Sequence, residues 1–215
     1  MKVAIHLGLG DAIVCAAIIA KLASENEVVE IPCWKHNEVS VKSFFVNYPN
    51  VVIEPFKTVE DYNHWALDAD LKLGHYDNSP QLPNEDFVQW FYRQAGVDIA
   101  EKDKWCPILE ASKDFDSPKH THIFVHDDIE RNFKIDMMRV NGNSFGATSP
   151  VFVKWQSILI NANWLIDAKE IHCIDSCFLH LVECLPTTGK LFYHKYARPD
   201  SPDYKYLKKE WTILN

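Results

Sequence analysis

Asp11 is the only Asp, Glu, Lys or Arg between Lys2 and Lys21, and it sits in the glycine turn Gly8-Leu-Gly10-Asp11. A carboxylate held at such a turn can take a proton from a bound hydroxyl group, the work of a general base. Near the other end of the chain, Asp175, Ser176 and Cys177 stand together, and His180 follows within one helical turn. A Ser at the first turn of a helix, beside free backbone N–H groups, is chemistry for holding an anion. Arg131, Lys134 and Lys195 are the cations that could neutralise that anion.

The elements around these residues are legible from pattern. Val3 to Leu7 is an apolar run that reads as a buried strand, and Ala12 to Ala23 reads as a helix with almost no polar interruption. Strand, glycine turn and buried helix form the opening unit of a doubly wound α/β domain, with the turn at the carboxyl end of the sheet where such folds bind ligands. Gly8-x-Gly10 begins like a dinucleotide fingerprint, but Ile13 occupies the third glycine position. The helix then cannot approach the strand as a pyrophosphate turn requires, and Asp11 would repel a phosphate placed there. Asp11 reads either as a base or as an N-cap of the helix.

Further strands are expected at Glu27 to Trp34 and Val51 to Glu54, with helices at Glu38 to Phe45 and Glu85 to Ala95. Phe87, Val88, Phe91 and Ala95 repeat at helical spacing, and Gly96 is a natural stop. The stretch Asp98 to Ser117 carries charges, Pro107 and little periodicity, and reads as a linker. The pattern then restarts with a strand at His122 to His126. A polar loop (Asp127 to Asn132), a turn at Asn141 to Gly146 and partial helix over Val153 to Ala168 follow. Next come a strand at Glu170 to Ile174, a helix at Phe178 to Cys184 and a last strand at Lys190 to Tyr193. This places Arg131 in the loop after the first strand of the second half, and Lys195 just past the last strand. The alternation predicts an α/β protein of two Rossmann-like halves, residues 1–110 and 118–215.

Composition narrows the function. Hydrophobic residues are 47% of the 215, enough for a real core. A formal net charge of -8 with no basic stripe argues against nucleic-acid binding. The six cysteines form no CxxC pair and read as free thiols of a reducing compartment. No signal peptide and no membrane-spanning run is evident, so a cytoplasmic protein is expected. Asp127 and Asp128 are adjacent rather than spaced as a DxD pair, and the histidines lack metal-ligand spacing, so neither a metal nor a cofactor is expected.

Gly8-Leu-Gly-Asp-Ala-Ile13 and Ile174-Asp-Ser-Cys-Phe-Leu-His-Leu181 together resemble the ADP-heptose:lipopolysaccharide heptosyltransferase family of glycosyltransferases. The resemblance covers the two ends of the chain. It implies a GT-B fold, two Rossmann-type domains facing across a cleft, with residues 1–110 on the acceptor side and 118–215 on the nucleotide-sugar side. It implies Asp11 as the catalytic residue and Asp175, Ser176 and His180 as ligands of the donor diphosphate. Cys177 stands where the family has Gly, and the chain is shorter than family members. With Arg131, Cys177 and Lys195 added to the diphosphate site, and Gly8 and Gly10 assigned to the acceptor, the expected activity is a metal-independent, inverting glycosyl transfer. Its partners would be a nucleotide-sugar donor and a carbohydrate acceptor. A non-catalytic nucleotide- or sugar-binding protein is the alternative. A nicotinamide-dependent oxidoreductase is disfavoured, because Pro32-Cys33-Trp34 leaves no acid at the tip of the second strand.

Overall fold

The structure is a computed structural model that describes residues 1–74, 80–109, 122–129, 131–140, 147–148, 156–201 and 204–215, the pair 147–148 through its backbone alone. The chain divides into two compact units, Met1–Ile108 with Lys154–Ser157, and Leu109–Val153 with Ile158–Asn215. Both are α/β, and every strand pair in them is parallel. The expected turn at 141–146 and the stretches 110–117 and 149–155 lie outside the described residues.

The first unit runs β1 (Val3–Ala4), α1 (Leu9–Glu25), β2 (Val29–Trp34), α2 (Glu38–Phe44), β3 (Val51–Phe56), α3 (Val59–Ala66), β4 (Leu71–Lys72) and α4 (Phe87–Ala95). β1 pairs with β4 and β2 with β3, and one parallel bridge between Lys2 and Glu30 joins the two pairs. The spatial order is therefore β3-β2-β1-β4, that of a doubly wound mononucleotide-binding half, which reverses direction between β1 and β4. β1 is shorter than its apolar run suggests. The carbonyl of Ile5 accepts the Tyr62 hydroxyl at 2.9 Å and leaves the ladder there.

α1 is buried along most of its length because it is apolar on nearly all sides. Its last carbonyls are satisfied by amides rather than by water: Asn26 donates to Leu22 O, and Asn50 donates to Ala23 O at 2.7 Å. α4 lies against α1, where the Tyr92 hydroxyl donates to Val14 O. A reciprocal capping box of Asp86 and Gln89 opens α4, and Gly96 closes it in the left-handed conformation. The first part of the expected linker is structured. Asp98 caps a 3-10 turn at Ile99–Asp103, and buried Trp105 packs edge-on against Phe44. Ser40 and Ser43 of α2 bind Gln156 O and the Ser157 hydroxyl, so that later segment belongs to this unit.

The second unit comprises β5 (Ile123–His126), β6 (Ala147–Thr148), α5 (Ala162–Ile166), β7 (Glu170–Cys173), α6 (Cys177–Cys184), β8 (Lys190–His194) and β9 (Trp211–Leu214). The strand order β6-β5-β7-β8-β9 is that of a flavodoxin-like sheet, with its switch point between β5 and β7. β9 was not expected from sequence. It is an edge strand with no fully buried residue, although Trp211, Ile213 and Leu214 are apolar, whereas every residue of β7 is buried.

This unit also buries histidines. Burial holds His126 and His194 down to about 4, and burial pushes His172 down as well, although Glu170 beside it works the other way. An unfolded histidine titrates near 6.5. Below that pH the unfolded chain binds protons that the folded unit does not. The stability these groups confer is therefore complete above about 6.5 and declines as the pH falls towards 4. The described histidines of the first unit are exposed. Urea unfolding followed by two-dimensional NMR is expected to show β7 and β8 signals disappearing at lower urea at pH 5.0 than at pH 7.5. Signals of β2 and β3 should move less.

Candidate functional site

Each unit concentrates its chemistry at the carboxyl end of its strands, beside its own switch point. In the first unit the chain leaves β1 through His6 and Leu7. Gly8 is the N-cap, so α1 begins three residues earlier than the sequence suggests and Asp11 lies inside its first turn instead of capping it. That position suits a carboxylate, because the helix N-terminus carries partial positive charge. The Asp11 side chain folds back over the cap. A Cβ placed on Gly8 would come within 2.5 Å of Asp11 Oδ2. Gly8 is thus what lets the carboxylate lie there, while Gly10 is a half-buried residue of the same turn.

His6 is the residue that sequence reasoning missed. Its Nδ1 lies 3.7 Å from Asp11 Oδ1, and its Nε2 lies 3.3 Å from the carbonyl of Gly74, just past β4. Gly74 is left-handed (φ 73°), and its N–H donates to Gln94 Oε1 at 2.7 Å. A Cβ there would strike Phe91 at 2.6 Å and His6 Nε2 at 2.8 Å, so only glycine lets β4 close onto β1. The ends of the two switch-point strands therefore meet at an imidazole and a carboxylate. The Asp11 side chain is 27% exposed, open enough to meet a substrate hydroxyl.

In the second unit β5 leads into Asp127 and Asp128, and β7 leads into Ile174, Asp175 and Ser176. Asp128 accepts from both the backbone N–H and the Nε of Arg131, the latter at 2.5 Å, so the adjacent-acid segment forms an ion pair with arginine. Asn132, at φ 62°, turns the chain back so that Phe133 bridges to Asp128. The guanidinium carbon of Arg131 lies 5.6 Å from the Phe133 ring centre. Arg198, which sequence reasoning did not select, lies 5.4 Å from the same ring. Two guanidinium groups thus share one aromatic support.

Asp175 does not stand open at the crevice. It is 5% exposed, accepts the Tyr204 hydroxyl on Oδ1, and has Oδ2 3.3 Å from Arg198 Nη1, which also donates to the Asp175 carbonyl at 2.8 Å. Its carboxylate is a brace for Arg198. Burial and the adjoining Asp175 carboxylate push the Tyr204 phenol up, so it keeps the proton it donates. His180 is also turned to structural use. Its Nδ1 meets the Tyr206 hydroxyl at 2.7 Å, and its ring packs against Tyr204 and Tyr206. Lys195 sits in the 3-10 turn after β8, and Lys134 is exposed.

Ser176 is the N-cap of α6, yet its hydroxyl makes no capping bond. That oxygen is shielded from solvent and has no hydrogen-bond partner among the described residues. A buried hydroxyl without a partner is costly, by roughly 1–3 kcal/mol, unless a ligand completes it. Cys177 opens the helix. Burial pushes its thiol up to about 12, against the pull of its own N–H, the Phe178 N–H and the Arg131 charge, so it stays neutral. Among the described residues no group of three or more His, Cys, Asp or Glu could hold a metal ion, and no helix is long and apolar enough to cross a membrane.

The fold defines the class: α/β units of parallel strands, as in the GT-B glycosyltransferases. No family model and no curated protein matches the sequence. Among solved structures the chain is similar to the iron-containing dodecameric glycosyltransferase TibC of enterotoxigenic E. coli. The TM-score is 0.54 at 14% identity, over 89% of this chain and 57% of that one. It is also similar to the E. coli heptosyltransferase WaaC, solved with ADP-2-deoxy-2-fluoro heptose, at a TM-score of 0.53 and 10% identity, over 100% of this chain and 93% of that one. The chain spans little more than half the length of the first. At such identities the likeness is one of fold, and it agrees with the heptosyltransferase-like reading of the two end motifs.

The geometry at Asp175 yields a stability test. Asp175→Ala removes the acceptor of one phenol and one guanidinium at once. We expect a loss of about 1.5–3 kcal/mol, the scale of hydrogen bonds to a charged group. The measurement is denaturant unfolding at pH 7.5, and an unchanged midpoint would show that Asp175 braces nothing.

Proposed function

We propose that the chain is a glycosyltransferase that moves a sugar from a nucleotide-sugar donor to a hydroxyl group of a carbohydrate acceptor, without a metal and with inversion. The observation that carries this reading is the head of α6: a helix N-terminus, a buried and unpartnered Ser176 hydroxyl, and two guanidinium groups beside the β5/β7 switch point. That combination suits a diphosphate. Arg198 spends only Nη1 on Asp175 among the described residues, which leaves Nε and Nη2 for a ligand.

In this mechanism the acceptor oxygen forms a bond to the anomeric carbon as the bond from that carbon to the diphosphate oxygen breaks. The nucleoside diphosphate leaves with the bonding pair. Arg131, Arg198, the Ser176 hydroxyl and the free N–H groups of α6 stabilise the charge that grows on it. Asp11 takes the hydroxyl proton. His6 Nδ1 lies 3.7 Å from Asp11 Oδ1, and a protonated His6 would hold the carboxylate there as an ion pair. A single displacement of this kind inverts the anomeric centre.

A panel of ADP-, UDP-, GDP- and CMP-sugars, read by thermal shift and then by transfer, tests the reading. With the donor so found, Asp11→Asn is expected to lower turnover by 10²- to 10⁴-fold, the usual contribution of a general base. Nucleotide affinity should be unchanged, and stability should fall only by the helix-terminus contribution, about 0.3–1 kcal/mol. Binding without transfer in the unaltered protein would instead favour the non-catalytic alternative. Activity is expected to survive EDTA, and its loss would defeat the metal-free mechanism. Arg131→Ala should weaken nucleoside diphosphate binding by about 1.5–3 kcal/mol, measured by calorimetry.

A further inference from the structure

The interior of the second unit holds a line of polar groups that the proposed mechanism does not use. Glu170, His172, His194 and Tyr196 lie in sequence across β7, β8 and the turn that follows. His172 and His194 are fully buried. His172 Nε2 is 3.5 Å from Glu170 Oε2, and His172 Nδ1 is 2.9 Å from His194 Nε2. His194 Nδ1 is 3.1 Å from the Tyr196 hydroxyl, which accepts the Asp136 N–H at 2.8 Å. The other charged groups felt at His194 are Asp136 and Arg139, and the Arg139 guanidinium lies 4.4 Å over the Tyr196 ring. His172 faces Glu170 and stacks on Phe192.

The hydrogens in this line can stand in one order. The Glu170 carboxylate only accepts, so a neutral His172 donates to it from Nε2 and accepts on Nδ1 from His194 Nε2–H. The neutral His194 is left to accept the Tyr196 hydrogen on Nδ1. Each group donates towards Glu170, every ring nitrogen is satisfied, and both imidazoles are neutral, the form that their complete burial favours. Such a network is specifying, because a reversed tautomer would place two donors or two lone pairs face to face in the core.

The outer end of the line is the turn Lys195–Ala197, which delivers Arg198. The Arg198 N–H closes that turn on Lys195 O at 3.1 Å, and Ala197 packs on the cluster of Val125, Ile135, Val140 and Ile174. We propose that His172 and His194 are positioning residues that act through the Tyr196 hydroxyl to fix this turn, and so aim Arg198 at the anion site at the head of α6. The inference rests on the diphosphate reading of that site. It adds a reason for two buried histidines in a core that could have been apolar.

The test is a double-mutant cycle with inorganic pyrophosphate as the probe, by calorimetry at pH 7.5, over wild type, Tyr196→Phe, Arg198→Ala and the double variant. Arg198→Ala is expected to weaken binding at least tenfold, and Tyr196→Phe about fivefold. In the Arg198→Ala background Tyr196→Phe is expected to have no further effect, because a residue that acts through Arg198 has nothing left to position. A general loosening of the fold would instead lower affinity by the same factor in both backgrounds, and that result overturns the proposal. So does wild-type affinity in Tyr196→Phe. If Arg198→Ala itself binds pyrophosphate normally, the anion site is misassigned and the positioning role falls with it. An independent arm needs no variant: ¹⁵N NMR of the wild-type histidines is expected to show both His172 and His194 as neutral Nε2–H tautomers. His194 protonated on Nδ1 would refute the chain of donors.

Discussion

The head of α6 depends on one buried carboxylate. Asp175 stands two residues past the end of β7, and it gathers the Tyr204 hydroxyl and the Arg198 guanidinium from a segment more than twenty residues away. A charge in such a place is tolerated only where its oxygens are bonded and a countercharge is near. Asp175 has both, and the chain that supplies them cannot wander without exposing it. The return of the segment from Arg198 to Tyr206 is therefore an electrostatic requirement as much as a packing one. Once there, Tyr206 meets His180, and Glu183 receives the Lys208 N–H and the Trp211 indole N–H, which starts β9 beside α6. The last strand of the sheet is laid down from contacts made to α6.

The two switch points follow one topological rule and differ in the groups they present. At β1/β4 the groups presented are a carboxylate and an imidazole. At β5/β7 they are two guanidinium–carboxylate pairs, a hydroxyl and helix N–H groups. Parallel strands aim their carboxyl ends, and the helices that follow them, at the same edge, so ligand chemistry collects there in either case. The difference lies in the first turn of the helix. α1 fills its own N-terminus with Asp11, whose carboxylate occupies the place an anion would take. α6 has no acid in its first turn and leaves its capping hydroxyl unspent. One helix start is closed to anions and the other is open, a division of labour that suits a base on one unit and a leaving diphosphate on the other.

Much of the fold was legible because its strongest elements are local. The apolar runs at Val3 and Ile123, the helix of α4 with its Asp86 cap and Gly96 stop, and the Asp175-Ser176 junction are written in consecutive residues. What escaped was set by distant partners. β1 ends early because Tyr62, 57 residues on, takes the Ile5 carbonyl. β9 is a four-residue edge strand, Trp211 to Leu214, half of whose side chains meet solvent, and its place is set by pairing with β8 rather than by burial of its own. Asp11 and Arg131 were visible as types in suggestive loops. His6 was visible too, five residues before Asp11, but its meaning depends on Gly74, 68 residues away. Arg198 likewise becomes a site residue only through Asp175 and Phe133.

Cys177 shows how composition at the helix head shapes the chemistry. Where the resembling motif has glycine, a thiol here covers the N–H groups of Cys177 and Phe178. Sulfur is a weak acceptor, so those donors are shielded but poorly satisfied. The neutral thiol brings no negative charge to repel a phosphate. A phosphate oxygen that displaces it gains two backbone donors and exposes only a small, soft side chain, which Cys177 can turn aside because it is half-buried. On the proposed reading, anion binding at α6 exchanges weak partners for strong ones. The strong partners on that reading include Arg131 and Arg198, whose guanidinium groups are held by Phe133, Asp128 and Asp175.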